Sequence, residues 1–117
     1  MRQPDARAFL FDIQTACRLI REFTSGLTFA DYAEDRKTRS AVERQLEIVG
    51  EAIGQMLRAF PEMTQKIPNA SRIISFRNRL IHGYATVSNP VVWGILEGDL
   101  PGLVATVEEL LAGEGHP

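Results

Sequence analysis

The 117-residue chain has one cysteine, two histidines and no long hydrophobic run. Because Cys17 is the only cysteine, an intrachain disulfide is excluded, and its helical spacing with Ile13 and Ile20 favours a buried apolar position over a reactive thiol. One cysteine and one well-placed histidine also cannot assemble a zinc site of the usual kind. We therefore expect any catalysis to need no cofactor and no metal, unless a partner supplies the metal.

Uninterrupted apolar runs are only a few residues long, whereas a membrane-spanning helix needs roughly 20 apolar residues. The first five residues are not followed by the apolar stretch of an export signal. Hydrophobic residues make up 44% of the chain and charged residues 24%, which is an ordinary balance for a folded domain. We expect one cytoplasmic domain spanning 1–117, without membrane contact, and a disordered tail at 113–117.

Acidic residues are absent from a long central stretch, although the net charge is only −2. No aspartate or glutamate lies between Glu62 and Glu97. The basic side chains of this stretch are Lys66, Arg72, Arg77, Arg79 and His82. A local cationic surface on a weakly acidic protein favours binding of a phosphate at one site, since general polyanion binding needs many Lys and Arg contacts. Uneven scatter of charge in a short chain is the alternative.

Apolar residues recur at three- and four-residue steps, which predicts helices along most of the chain. The first helix covers about 5–25 and is expected to end at Gly26. The strongest periodic segment covers about 36–60, and its interior contains Gly50 and Gly54. Glycines weaken a helix, so these two either permit close approach of another helix or share this spacing by chance.

The second half of the chain shows further helix boundaries. Ser71 is predicted to cap a helix over 72–81, and Ser88 or Asn89 is predicted to start the next one. Pro101 either breaks or kinks the last helical segment. Since no segment alternates in the manner of a strand, the sequence predicts an all-α, up-and-down bundle of four or five helices.

The most informative residues lie near the end of the 72–81 helix. His82 is the candidate for acid–base chemistry, because the other histidine, His116, lies beside the last residue in a polar tail. An unperturbed imidazole titrates near about 6.5 and can both accept and donate a proton at neutral pH. Within six residues the same run also contains Arg77, Asn78 and Arg79.

Arg77 and His82 do not share one face of a straight helix, because five residues turn it by about 140°. Asn78 and Arg79 do share a face with His82, at four- and three-residue separations. Arg77 can join His82 if the helix unwinds near the following glycine, or if a second copy supplies the missing group across a two-fold axis. The second arrangement predicts a homodimer with a shared central site.

Such a cluster suits cleavage of RNA without a metal. The guanidinium of Arg77 can stabilise charge on the phosphoryl oxygens, while His82 serves as acid or base. Asn78 could position the phosphate, and Tyr84 could donate to it or orient the imidazole. Each residue also has a plainer interpretation: Arg79 on a solvated face, Tyr84 as a half-buried structural residue, and His82 as a cation at the helix C-terminus.

These residues resemble the signature of a known family. The run Arg77-x4-His82-x-Tyr84 resembles the RX4HXY motif of HepT toxins, members of the HEPN (higher eukaryotes and prokaryotes nucleotide-binding) superfamily. Residues 41–52, AVERQLEIVGEA, resemble the second-helix pattern of that family. Further segments that resemble it are 35–38, 60–62 and 91–101. The resemblance covers nearly the whole chain, from about residue 7 to residue 111.

The resemblance implies an all-α bundle that dimerises through its motif helices and acts as a metal-independent ribonuclease toxin on tRNA or mRNA. It implies that Arg77 and His82 are catalytic, with Asn78 at the polar position that commonly follows the arginine. It also implies a partner, an MntA-type minimal nucleotidyltransferase antitoxin that transfers AMP to the motif tyrosine, here Tyr84. AMP would place bulk and negative charge beside the catalytic cations.

Two other interpretations remain open from the residues alone. In the first, the protein is a non-catalytic HEPN subunit that binds a nucleotide with its cationic surface or scaffolds a nucleotidyltransferase. In the second, it is a purely structural bundle in which His82 caps a helix. Expression without a partner should be toxic for a ribonuclease and harmless for a scaffold.

Overall fold

The computed structural model describes residues 5–82 and 88–114. A 3₁₀ helix, Pro61–Gln65, lies between the third and fourth α-helices, and a π-helical turn, Ile95–Asp99, lies between the fifth and sixth. Within the described ranges no strand forms, which confirms the predicted all-α bundle. The α-helices are α1 (Ala6–Thr24), α2 (Phe29–Glu34), α3 (Arg36–Ala59), α4 (Ala70–His82), α5 (Asn89–Gly94) and α6 (Leu100–Glu114).

The two longest helices, α1 and α3, pack along each other and form the centre of the bundle. Helix α4 packs on α3, and α6 packs on α1. Fully buried side chains from the facing stripes are Leu10, Ile13, Ile20, Val42, Leu46, Val49, Ile53, Met56 and Leu103. Burial of each large aliphatic side chain stabilises the fold by about 1.5–3 kcal/mol. As predicted from its spacing, Cys17 lies in this core.

Local signals in the sequence set the end of α1 and the start of α2. Gly26 follows α1 with a φ of 77°, a left-handed conformation that glycine adopts without a steric penalty. Thr28 and Asp31 then form a capping box, in which each side chain accepts a hydrogen bond from the backbone N–H of the other. The chain can therefore reverse within a few residues and return as α3 along α1.

Helix α4 begins two residues earlier than the sequence predicted, and Ser71 is not its cap. Asn69 adopts a left-handed conformation with a φ of 56°, and its carbonyl accepts the first helical hydrogen bond from Ile73 N at 3.1 Å. The reason is a tertiary contact: Asn69 Nδ2 donates to Oδ1 of the buried Asp99 at 2.9 Å. Asp99 also pairs with Arg72, whose Nε lies 3.3 Å from Oδ2. The π-helical turn therefore fixes the start of α4.

Pro101 does not break the last segment, which stays helical from Asn89 to Glu114. In the preceding π-helical turn the backbone N–H of Leu100 donates to the carbonyl of Ile95, five residues earlier. A proline in a regular helix has no N–H and clashes with the carbonyl four residues before it, and a π turn is one way to relieve this conflict. Helix α6 extends two residues into the segment 113–117 that was expected to be disordered, and residues 115–117 lie outside the described ranges.

An aromatic cluster joins α2 to α5. The ring of Trp93 lies 5.3 Å from that of Tyr32 and 6.1 Å from that of Phe29, measured between centroids. Tyr32 is fully buried, and its hydroxyl has no hydrogen-bond partner in the described part of the chain.

Within the described part of the chain, no helix combines the length and apolar character required to cross a bilayer.

Candidate active site on helix α4

The side chain of Arg77 lies between α4 and α3. It is 26% exposed, and its Nη2 donates to Oε2 of Glu51 on α3 in an ion pair. Its Nη1 donates to Oδ1 of Asn78 at 2.9 Å. Its Nε is buried and has no hydrogen-bond partner among the described residues. The guanidinium is thus held on two sides while part of the group still reaches solvent.

Gly50 allows this placement. A Cβ added to Gly50 would lie 2.3 Å from Cβ and 2.8 Å from Cγ of Arg77, and 3.4 Å from the carbonyl oxygen of Ile73. By contrast, a Cβ at Gly54 would meet only Nη1 of Arg58, at 3.6 Å. Of the two alternatives the sequence left open, close helix approach is therefore correct for Gly50, whereas Gly54 makes no such contact.

His82 is the last residue of α4 and is exposed. Asn78 and Arg79, one turn earlier, are exposed as well. Because α4 is helical through His82, the imidazole lies on a different face from Arg77, which points towards α3. Asn78 lies between the two groups. Its Oδ1 accepts a hydrogen bond from Nη1 of Arg77, and it shares a helix face with His82, four residues later.

Two of the predicted features fall in a part of the chain that is not described. Tyr84, the expected site of AMP transfer, and Gly83, near which the helix would unwind in one of the two arrangements left open, belong to 83–87 and lie outside the described residues. The described part of α4 ends directly before them, at His82.

The cationic surface predicted from the acid-free stretch is smaller in the folded chain. Arg77 pairs with Glu51, and Arg72 pairs with Asp99, so tertiary contacts bring in carboxylates from distant segments. In the ranges 5–82 and 88–114, no such ion pair is found for Arg79. Arg79, in the C-terminal part of α4, is therefore the arginine of this helix whose charge no carboxylate of the described residues compensates.

An open groove of about 250 Å³ lies beside the ion pair, between α1, α3 and the end of α4. Glu51 belongs both to the groove and to the contact with Arg77. Ile81 is the α4 residue in the groove and is 46% exposed. The other lining residues are Asp12, Arg44, Glu47, Ile48, Ala52 and Gln55. Among the residues described, no three His, Cys, Asp or Glu side chains are grouped so as to hold a metal ion.

Comparison with known proteins identifies the family. A profile described as HepT-like ribonuclease matches residues 13–110, which include α3, all of α4 and every residue of the groove except Asp12. The chain belongs to the HepT-like ribonuclease family. Family membership agrees with the observed all-α, HEPN-like fold.

Named relatives of the chain come from archaea and bacteria. A protein named "Probable ribonuclease HepT" from Thermococcus cleftensis is 38% identical over 102 residues, which cover 87% of this chain and 92% of the relative. A protein named "Putative RNase" from Methanocaldococcus jannaschii is 32% identical over 111 residues, which cover 95% and 91%. Another of that name, from Caldanaerobacter subterraneus, is 32% identical over 108 residues, which cover 92% and 96%. No solved structure matches the chain.

Glu51 and its contact with Arg77 were not foreseen from the sequence of this HepT-like protein. The two residues are 26 positions apart, and nothing in their spacing indicates a contact. A signal was nevertheless present, since Glu51 directly follows Gly50 in the interior of a long helix. A glycine at such a position costs about 1 kcal/mol relative to alanine, which suggests a close neighbour.

Proposed function

We propose that this protein is a metal-independent endoribonuclease toxin that cleaves tRNA or mRNA in the cytoplasm. The observation that carries the proposal is the placement of Arg77 and His82. Helix α4 presents a guanidinium held by Glu51 and Asn78, and an exposed imidazole one turn beyond Asn78. Membership of the HepT-like ribonuclease family supports RNA as the substrate.

The reaction is an internal transfer of the RNA phosphate. The 2′-oxygen attacks the adjacent phosphorus, the P–O5′ bond breaks, and the products are a 2′,3′-cyclic phosphate and a free 5′-hydroxyl. One imidazole takes the proton of the 2′-hydroxyl and another gives a proton to the leaving 5′-oxygen. Arg77 stabilises the charge that develops on the non-bridging oxygens, and Asn78 and Arg79 help to hold the phosphate.

A homodimer supplies both imidazoles. Within one chain Arg77 and His82 lie on different faces of α4. A phosphate bound to one face of a single copy would therefore not contact both side chains. An isologous contact between two α4 helices would bring two of each group around one site. The exposed Ile81, next to His82, offers apolar surface for such a contact.

The test is cleavage of labelled RNA in EDTA by protein purified without a partner. We expect wild-type and His116→Ala protein to cleave, and Arg77→Ala and His82→Ala proteins each to lose activity by at least about 100-fold. Mixed dimers of wild-type and His82→Ala chains should also lose most of their activity if the site is shared, because only one of its two imidazoles remains. Full activity of His82→Ala would exclude this mechanism.

Control of the toxin would come from an MntA-type nucleotidyltransferase that adds AMP to Tyr84. Adenylyl groups beside α4 would compete with RNA for Arg77 and His82. Incubation with such an enzyme and ATP should increase the mass by whole adenylyl groups and abolish cleavage. Tyr84→Phe protein should gain no mass and should stay active in the same mixture.

A second candidate function is a non-catalytic subunit that scaffolds the nucleotidyltransferase. The ion pair with Glu51 favours it, because the charge of Arg77 is already compensated within the chain. Growth of cells that express the protein alone separates the two functions. Arrest that depends on His82 supports the ribonuclease, and normal growth at the same protein level supports the scaffold.

A further inference from the structure

The side chain of Arg77 lies in a notch on α3 formed by two successive residues. Gly50 leaves room for the Cβ and Cγ of the arginine, where an added Cβ would be 2.3 and 2.8 Å away. Glu51 receives the end of the same side chain through its carboxylate. Gly50 thus accommodates the aliphatic part of the Arg77 side chain, and Glu51 binds its guanidinium.

The notch restricts a side chain that is otherwise flexible. Arginine loses considerable rotamer entropy when it is ordered, and a group that must meet a phosphate at a defined angle works best when this ordering is complete beforehand. The close contact at Gly50 restricts the positions of Cβ and Cγ of Arg77, and the carboxylate of Glu51 restricts the orientation of the guanidinium. Asn78 adds a second hydrogen bond, to Nη1 at 2.9 Å.

The charge of Glu51 distinguishes positioning from simple phosphate binding. A carboxylate beside a phosphate-binding arginine weakens the attraction of the site for RNA in the ground state. The guanidinium carries five N–H donors, and the described residues accept from its Nη1 and Nη2 with one contact each. Donors therefore remain for a phosphate, at an orientation that Glu51 sets.

We infer that Glu51 is a positioning residue. Together with Gly50, which has no side chain, it holds the guanidinium of Arg77 in the direction needed to stabilise charge on the non-bridging oxygens of the RNA phosphate. This inference rests on the proposed ribonuclease function of Arg77 and His82. If Glu51 has this role, α3, which lies outside the RX4HXY motif, also influences the catalytic rate. Glu51 acts only through Arg77 and does not touch the substrate.

The first test is Glu51→Gln with steady-state kinetics on a short RNA. We expect kcat to fall by about 10- to 100-fold because the guanidinium loses its fixed direction, while KM stays equal or decreases because a negative charge is removed. The matched control is Glu47→Gln, one turn earlier in the same groove, where the carboxylate pairs with Arg44. That variant should keep the wild-type kcat.

A double-mutant cycle tests whether Glu51 acts through Arg77. In the Arg77→Ala background, Glu51→Gln should cause no further loss of cleavage, since the group that it positions is gone. A second pair of variants tests the notch itself. Gly50→Ala should reduce kcat per folded molecule, whereas Gly54→Ala, one turn along α3, should not.

The outcomes separate this inference from the proposed function. Undiminished cleavage by Arg77→Ala protein would overturn both. Loss of activity in Arg77→Ala, with wild-type kcat in Glu51→Gln, would overturn the role of Glu51 alone. Additive losses in the double mutant, or a loss explained wholly by a smaller folded fraction in thermal melts, would also overturn it.

Discussion

Gly50 and Arg77 approach so closely that a Cβ on the glycine would lie 2.3 Å from the Cβ of the arginine. The backbones of α3 and α4 can meet at this point only because one of the two residues has no side chain. An interior glycine weakens α3 locally, and the close contact with α4 offsets that weakness. The same contact places the guanidinium beside Glu51.

Opposite stability effects are expected for alanine at the two glycines of α3. Gly50→Ala should lower the free energy of unfolding by about 1–3 kcal/mol, because the added Cβ forces Arg77 and α4 outward. Gly54→Ala should raise it by up to about 1 kcal/mol, because the helix gains propensity and a Cβ there is 3.6 Å from its nearest neighbour. Urea denaturation measures both, and stabilisation by Gly50→Ala would contradict the close approach.

The start of α4 should depend on Asp99. Asp99→Ala is expected to lower the free energy of unfolding by about 1–3 kcal/mol, because it removes the acceptor for Asn69 and the partner of Arg72. Asp99→Asn should cost less, since an amide oxygen can still accept from Asn69. Glu97→Ala, an exposed neighbour in the same π-helical turn, is the control and should change stability little. Equal effects of Asp99→Ala and Glu97→Ala in chemical denaturation would contradict this role.

Much of this fold could be predicted from local sequence signals. The apolar period located α1 and α3, and Gly26 marked the end of α1 because a glycine there acts on its immediate neighbours. The start of α4 could not be located in this way, because it depends on Asn69 binding Asp99, 30 residues away. Whether Pro101 would break the helix was likewise undecidable, since the π-helical turn that accommodates it leaves no clear pattern in the sequence.

The candidate site shows the same division between local and distant effects. The motif made Arg77 and His82 candidates, and their spacing from His82 added Asn78 and Arg79; all four lie on α4. The acid-free stretch predicted a broader cationic surface, because charge along the chain does not show which carboxylates fold back onto it. Glu51 is the example, since it reaches Arg77 only through the packing of α3 against α4.

Removal of the Tyr32 hydroxyl should not destabilise the protein. None of the described residues bonds to its buried oxygen, so Tyr32→Phe removes a desolvated polar group while the ring can keep its packing on Trp93. We expect the free energy of unfolding to stay equal or to rise by up to about 1–2 kcal/mol. Chemical denaturation at neutral pH measures this change. A loss of more than about 1 kcal/mol would mean that the hydroxyl has a bonding partner.

The Cys17 thiol should be unreactive in the folded protein. Burial raises its pKa from 9.0 to about 12, and the nearby Arg21 offsets this only in part. Because the thiolate is the reactive form, a disulfide reagent at pH 8 should label Cys17 slowly in buffer and rapidly in urea. Equal labelling rates in the two conditions would show that the residue is accessible in the native state.

Alkaline pH should weaken the fold through Cys17 and Tyr32. Burial also raises the pKa of Tyr32 from 10.0 to about 12, with Glu43 acting in the same direction. Both groups lose their protons more easily when the chain is unfolded, so their contribution is complete below pH 9 and is lost as pH rises towards about 12. Urea midpoints should therefore decrease from pH 8 to pH 11. The decrease should be smaller for Cys17→Ala and Tyr32→Phe proteins, because each variant removes one of the two groups, and an unchanged decrease in both would assign the alkaline effect to other residues.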